Sequence, residues 1–151
     1  MSVEVGTGVG TEVGTGVGTG TVAGTVVAVD GTLTWHEVCV LGDLSPERGA
    51  AAFLDGVQVA LFRTHDDHVY AVQQLDPYSA ANVMSRGIVG SRGDVPTVAS
   101  PMYKQVFDLR TGACLDAVGQ EPKPLRSYPA TVVDGVVRVA LSASAPPGGA
   151  G

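Results

Sequence analysis

His65-Asp66-Asp67-His68 puts two imidazoles and two carboxylates into one short segment. Those are side chains that a divalent metal or a general base would draw on. In a two-residue turn both imidazoles face solvent, however, and a tight divalent site takes ligands converging from separate segments. The expectation is a solvated turn, with a functional site as the alternative. Gly18-Thr19-Gly20-Thr21-Val22-Ala23, with Asp43 further along, fits the glycine fingerprint of a dinucleotide site. That chemistry needs a strand before the glycines and a helix after them, so that the helix N-terminus meets the pyrophosphate. Here Val-Gly-Thr-Gly repeats at 5–8, 13–16 and 17–20, and Val26-Val27-Ala28-Val29 follows. In so glycine-rich a tract the match is a chance one.

Other catalytic signatures are missing. The only lysines, Lys104 and Lys123, follow Tyr103 and Pro122, so there is no Gly-Lys-Ser/Thr phosphate loop. Ser91-Arg92-Gly93 comes nearest to a nucleophile elbow, but Val89 stands where the first glycine belongs. His36 alternates with Trp35 on an early strand and is expected at the surface or with its hydrogen bonds satisfied. Cys39 and Cys114 are too few for a disulfide scaffold and read as half-buried thiols of a cytosolic protein.

The elements that must position these residues are β throughout. Trp35–Leu41 is a short apolar run closed by Gly42-Asp43. Ala51–Leu54 and Val57–Phe62 flank Asp55-Gly56, the strongest short hairpin signal, and Val57, Val59 and Leu61 alternate with Gln58 and Ala60 as on a half-buried strand. His68–Leu75, Val95–Ala99, Lys104–Leu109 and Ala113–Leu115 read as further strands. Tyr128–Val133, Asp134-Gly135 and Val136–Leu141 form a closing hairpin. No helical period emerges beyond a turn near Ser79–Met84. Seven to nine short strands at regular spacing predict a small all-β sandwich or barrel.

Composition divides the chain. Residues 1–31 form a Gly/Val/Thr tract without an aromatic, a lysine or an arginine, in which Thr25–Val29 could pair transiently as a strand. Such a tract has few large side chains to offset the entropy of ordering, and 1–31 and 142–151 are expected to be disordered tails around a domain at 32–141. A core of about 110 residues suffices for one self-standing domain. The net charge is −6 and no two of the 9 basic residues are adjacent, which argues against nucleic acid. No apolar run approaches the roughly 18 residues of a membrane span. The N-terminus has no basic n-region, so the expected location is cytoplasmic.

Two loops are more telling. They run Leu75-Asp76-Pro77-Tyr78-Ser79-Ala80-Ala81-Asn82-Val83-Met84-Ser85-Arg86-Gly87 and Ala99-Ser100-Pro101-Met102-Tyr103-Lys104-Gln105, the second leading into Phe107-Asp108-Leu109-Arg110-Thr111-Gly112. This resembles the Rieske iron–sulfur domain, which has Cys-x-His in a first loop and Cys-x-x-His in a second, then a Phe-Asp-Leu-x-Thr-Gly hairpin. The resemblance extends to the hairpin at 128–137 and spans most of residues 34–141. It implies an antiparallel β-sandwich or barrel with two facing loops.

A Rieske centre needs two thiolates on one iron and two imidazoles on the other. The corresponding positions are Asp76 and Tyr78 in the first loop, Ser100 and Tyr103 in the second, and no histidine follows His68. The expectation is that no cluster is held, and that no catalytic, cofactor or metal site lies in the chain. Tyr78 and Tyr103 are then expected to fill the vacated volume, while Asp76 and Ser100 satisfy backbone donors. Met84–Gly90 together with Ala99–Gln105 looks like the small-subunit group of assimilatory NADH-dependent nitrite reductases, a Rieske-like branch in which ligands are commonly missing. That resemblance implies a nitrite reductase large subunit as partner, holding FAD, siroheme and a [4Fe–4S] cluster and reducing nitrite to ammonium in nitrate assimilation. Arg86, Arg92 and Lys104 are the candidate partner contacts, with ordinary solvated charges as the alternative. Two other readings stay open: a Rieske-type ferredoxin component of an oxygenase, and a free-standing protein-binding β-domain.

Overall fold

Asp55 and Gly56 both turn at positive φ (50° and 83°), the mirror-image two-residue turn whose twist matches that of the strands it joins. It links β4 (Arg48–Leu54) to β5 (Val57–Arg63) in the hairpin read from the sequence. A computed structural model of the chain describes residues 21–23, 25–30 and 33–142. The other strands are β1 (Thr21–Ala23), β2 (Thr25–Asp30), β3 (Leu33–Val40), β6 (Val69–Gln73), β7 (Ile88–Arg92), β8 (Val95–Ala99), β9 (Val106–Asp108), β10 (Cys114–Asp116), β11 (Ser127–Tyr128), β12 (Ala130–Val133) and β13 (Val136–Ser142). Short 3₁₀ turns at Leu41–Asp43 and Met84–Arg86 complete the described elements. No helix among the described residues is long and apolar enough to cross a membrane.

The strands form three sheets, in the orders β1-β4-β5-β6-β11, β10-β9-β8-β7 and β12-β13-β3-β2. All neighbours are antiparallel except β1, which lies parallel to β4. Apolar side chains on the two faces of β5 join two separate cores. Val57, Val59 and Leu61 pack with Val38, Val137 and Val139. Ala60 and Phe62 pack with Val98, Phe107 and Leu109. The first sheet is thus the middle layer, covered on one face by the β3/β13 sheet and on the other by the β8/β9 sheet. This is why Ala60, expected on a solvated face, is fully buried.

Three boundaries differ from expectation. Within the 1–31 tract, Thr25–Asp30 pairs with β3 where a strand over Thr25–Val29 was the possible exception, and Thr21–Ala23, which was not anticipated, pairs with Ala51–Phe53, so paired structure begins before residue 32. Both segments are rich in Val and Thr and have an open sheet edge to join. The rest of the expected tails, apart from Ser142, lies outside the described residues. Pro129 splits the expected strand 128–133 into β11, which pairs with β6, and β12, which pairs with β13. β7 was not anticipated at all: it pairs with β8 across a two-residue Gly93-Asp94 loop.

Candidate functional site: two facing loops

The two loops flanking β7 and β8 close by the same backbone pattern. In the first, the Asp76 amide donates to Ala81 O (2.8 Å) and the Ala80 amide donates back to Asp76 O (2.8 Å). In the second, the Ser100 amide donates to Gln105 O (2.9 Å) and the Lys104 amide to Ser100 O (3.1 Å). Ala80 and Lys104 occupy equivalent places, and both have positive φ (61° and 66°). Even the side-chain caps repeat. Asp76 Oδ1 accepts from the Tyr78 amide (2.9 Å), and Ser100 Oγ accepts from the Met102 amide (3.1 Å).

Asp76 and Ser100 therefore open two loops of one design, and they meet. The Ser100 hydroxyl donates to Asp76 Oδ2 at 2.6 Å, with both residues fully buried. As expected, each also satisfies a backbone donor. The two tyrosines behave differently. The Tyr78 hydroxyl donates to Glu121 O (2.8 Å), accepts from the Lys123 amide (2.8 Å) and lies 3.5 Å from Cys114 Sγ. Burial, and then the bond to Cys114, raise its pKa. The Lys123 ammonium stands 5.4 Å from the ring centroid, and Phe107 packs on the ring at 6.3 Å. Tyr103, by contrast, is 56% exposed beside Met102 at 48%, so it does not fill the volume between the loops as expected. Asp76 and Ser100 bond to each other directly instead, and Tyr103 lies next to the positive-φ turn at Lys104.

The loops rest on groups that sequence reasoning missed. Gln74 binds Ser85 twice, through Nε2 to Oγ (2.9 Å) and through Oε1 from the Ser85 amide (2.7 Å). Gln73 reaches Leu75 O (2.7 Å) and accepts from the Arg126 amide (2.7 Å). Two adjacent glutamines closing an apolar strand were the available signal. The Phe107–Gly112 hairpin follows the second loop and is held by its own bonds. Asp108 accepts from the Arg110 amide (2.8 Å) and pairs with its guanidinium (3.1 Å). Burial works against the Asp108 charge, yet those Arg110 bonds hold its pKa below the ordinary value. Gly112, at φ 83°, lets Leu125 O approach within 2.0 Å of where a Cβ would stand.

The other candidates separate. His65 and His68 are exposed, Asp67 binds Arg63 (2.8 Å) and Asp66 binds Thr64 and His68. The Thr64 hydroxyl and then His68 hold the Asp66 carboxyl well below the usual range. Among the described residues no group of three or more His, Cys, Asp or Glu is placed to hold a metal ion. Cys39 sits on β3 with its thiol pushed up to about 12 by burial and by Asp43, so it is unreactive at neutral pH. His36 corrects an expectation: it is 1% exposed, on the same buried face of β3 as Val38, and neither ring nitrogen has a side-chain or backbone partner of good geometry among the described residues. Arg86 ends a 3₁₀ turn, Arg92 binds Asp116 (3.5 Å) and Lys104 sits at the second loop, with no bond joining the three among the described residues.

Two similarly closed loops facing each other on a layered antiparallel β domain, backed by a Phe-Asp-Leu-x-Thr-Gly hairpin, define the Rieske type of fold. The Rieske-like [2Fe-2S] domain family matches residues 34–140, and the chain belongs to that family, with close homology to its nitrite reductase small subunits. The nitrite reductase (NADH) small subunit of Escherichia coli (strain K12) is 39% identical over 106 residues, 70% of this chain and 95% of the relative. A crystal structure assigned to the NADH-dependent nitrite reductase small subunit of Mycobacterium tuberculosis is 46% identical, with a TM-score of 0.67 over 72% of this chain and 96% of that one. A nitrite reductase [NAD(P)H] large subunit from Klebsiella oxytoca is 42% identical over 105 residues, 70% of this chain but 11% of that protein.

The residues of this site do not fit the family's cluster. At the four positions that the loop resemblance assigns to ligands stand a carboxylate, a hydroxyl and two phenols, where two thiolates and two imidazoles are needed. The Asp76 carboxylate and the Ser100 hydroxyl are spent on each other and on backbone amides. Cys114 lies beside Tyr78, but no histidine accompanies it in either loop.

Proposed function

We propose that this chain is the accessory small subunit of a cytoplasmic NADH-dependent nitrite reductase, holding no redox centre of its own. The observation that carries the proposal is the homology over 95% of the E. coli small subunit, which leaves little of that relative without a counterpart here. The Klebsiella protein supports it: a domain like this one forms part of the same polypeptide as a large subunit. FAD, siroheme and a [4Fe–4S] cluster then belong to the large subunit, which reduces nitrite to ammonium with electrons from NADH. This chain contributes contact and shape, with its loops closed by the Asp76–Ser100 bond instead of by iron.

Co-expression with the large subunit encoded in the same genome tests the proposal. The expected result is a complex of both chains whose nitrite reduction falls when this chain is omitted. Unchanged activity and unchanged complex size would sink it. The ferredoxin alternative needs stoichiometric iron and visible absorption in the purified chain.

A further inference from the structure

β7 is the outermost strand of its sheet, and its outer edge has backbone groups with no partner among the described residues. In an antiparallel ladder, opposed pairs alternate between bonded and non-bonded. Ser91 faces Pro96, which has no N–H, so that pair is a non-bonded one, as is Val89–Val98 two residues away. Val89 and Ser91 therefore turn their N–H and C=O groups away from β8 and towards the open edge. Strands left at a sheet edge are ordinarily guarded by lysine, proline, a bulge or a covering loop. β7 has neither lysine nor proline and keeps an unbroken register, and its first residue, Ile88, is 64% exposed.

Charge brackets this edge. Arg86 stands just before β7 and Arg92 ends it, roughly 20 Å apart at about 3.3 Å per residue. Arg86 has no ion-pair partner among the described residues, and Arg92 has only Asp116 at 3.5 Å. A cleft of about 620 Å³ runs between Ser85–Val89 and the start of β4, where Arg48 adds a third guanidinium. Asp43 and Glu47 also line the cleft, and Glu47 is engaged by the His65 amide (2.8 Å). Strand addition is a common way for one protein to take up an extended segment of another, with main-chain bonds giving affinity and side chains at alternate positions giving specificity. We propose that an extended, carboxylate-bearing segment of the large subunit adds to the outer edge of β7, its acidic groups meeting Arg86 and Arg92. This rests on the small-subunit assignment and names the surface through which it acts. The chain's own residues 1–20 offer only Glu4 and Glu12 to meet those arginines.

The test uses the full chain and the co-expressed large subunit. Ser91→Pro removes one outward donor and leaves the β7–β8 ladder intact, since proline is tolerated where an edge N–H faces solvent. It is expected to weaken binding about tenfold or more, whereas Ser91→Ala, which keeps the N–H, binds as wild type. Arg86→Glu with Arg92→Glu is expected to weaken binding to a similar degree, with the loss shrinking as salt is raised. Amide exchange at Val89 and Ser91 should slow only in the complex. Wild-type affinity in Ser91→Pro and in the double charge reversal overturns the edge proposal and leaves the small-subunit assignment standing. No binding by wild type overturns both. Protection of those two amides in the free monomer would make the chain's own N-terminal segment the occupant, and a concentration-dependent dimer abolished by Ser91→Pro would make it a second copy. Either outcome also overturns the proposal.

Discussion

The Ser100 hydroxyl and the Asp76 carboxylate, 24 residues apart in sequence, meet at 2.6 Å in a site closed to solvent. Each opens a loop of the same backbone design, and each also caps an amide two residues on. One bond thus joins the two loops directly.

That bond has a measurable worth. Ser100→Ala leaves a buried acceptor on Asp76 short of a donor and is expected to cost about 1–3 kcal/mol in urea unfolding. Asp76→Ala strands the Ser100 hydroxyl and the Tyr78 amide together and should cost more. In a double-mutant cycle the two changes should couple strongly, with the pair costing clearly less than the sum of the singles. Additive losses would show that the loops are held independently.

Tyr78 ties the segment 121–123 to the first loop through one oxygen. Tyr78→Phe keeps the ring against Phe107 and removes both bonds. The expected loss is about 1–2 kcal/mol, together with faster amide exchange at Lys123. Exchange at Ala81 N–H should hardly change, because it belongs to the body of the first loop.

Two glycines with the same φ of 83° separate backbone conformation from close approach. At Gly56 a Cβ meets nothing within 4 Å, so Gly56→Ala should cost only about 1 kcal/mol for the left-handed backbone. At Gly112 the Cβ would stand 2.0 Å from Leu125 O, so Gly112→Ala should exceed about 3 kcal/mol or prevent folding. Equal midpoints in denaturant for the two variants would contradict this.

His36 makes stability depend on pH. Burial lowers its pKa from 6.5, against smaller opposing effects of the Thr34 and Val139 backbone and of Asp55. Between the lowered folded value and 6.5 the unfolded chain binds the extra proton, so stability rises with pH through that window and falls as pH drops below 6.5. Asp66 is shifted in the same direction, and its contribution is likewise lost as pH falls, but only in the carboxylate range below the His36 window. Urea midpoints should therefore decline between pH 7 and pH 5 in wild type. In His36→Leu, which removes the buried titrating ring, most of that decline should vanish.

Local chemistry made much of the fold legible. Asp55-Gly56 announced its hairpin, and the alternation of Val57, Val59 and Leu61 announced a strand. The second buried face of β5 was not legible, because it comes from a sheet formed forty residues later in the chain, around Val98 and Phe107. β7 escaped notice because Ile88-Val89-Gly90-Ser91-Arg92 has glycine at its centre and one half-buried residue, Val89, which is what an edge strand needs and what a loop also looks like. The Gly93-Asp94 pair before Val95 was the available clue. At the site, the replaced ligand positions were visible as residue types. The direct Asp76–Ser100 bond and the exposure of Tyr103 were not, since both depend on how two remote loops face each other.

NADH-dependent nitrite reduction by the large subunit, titrated with purified chain verified free of iron, tests the central claim most directly. The account predicts a rise that saturates at a fixed stoichiometry of the two chains and needs no iron in the added subunit. A rate indifferent to the added chain, or a rise only after iron and sulfide are loaded into it, would contradict the account.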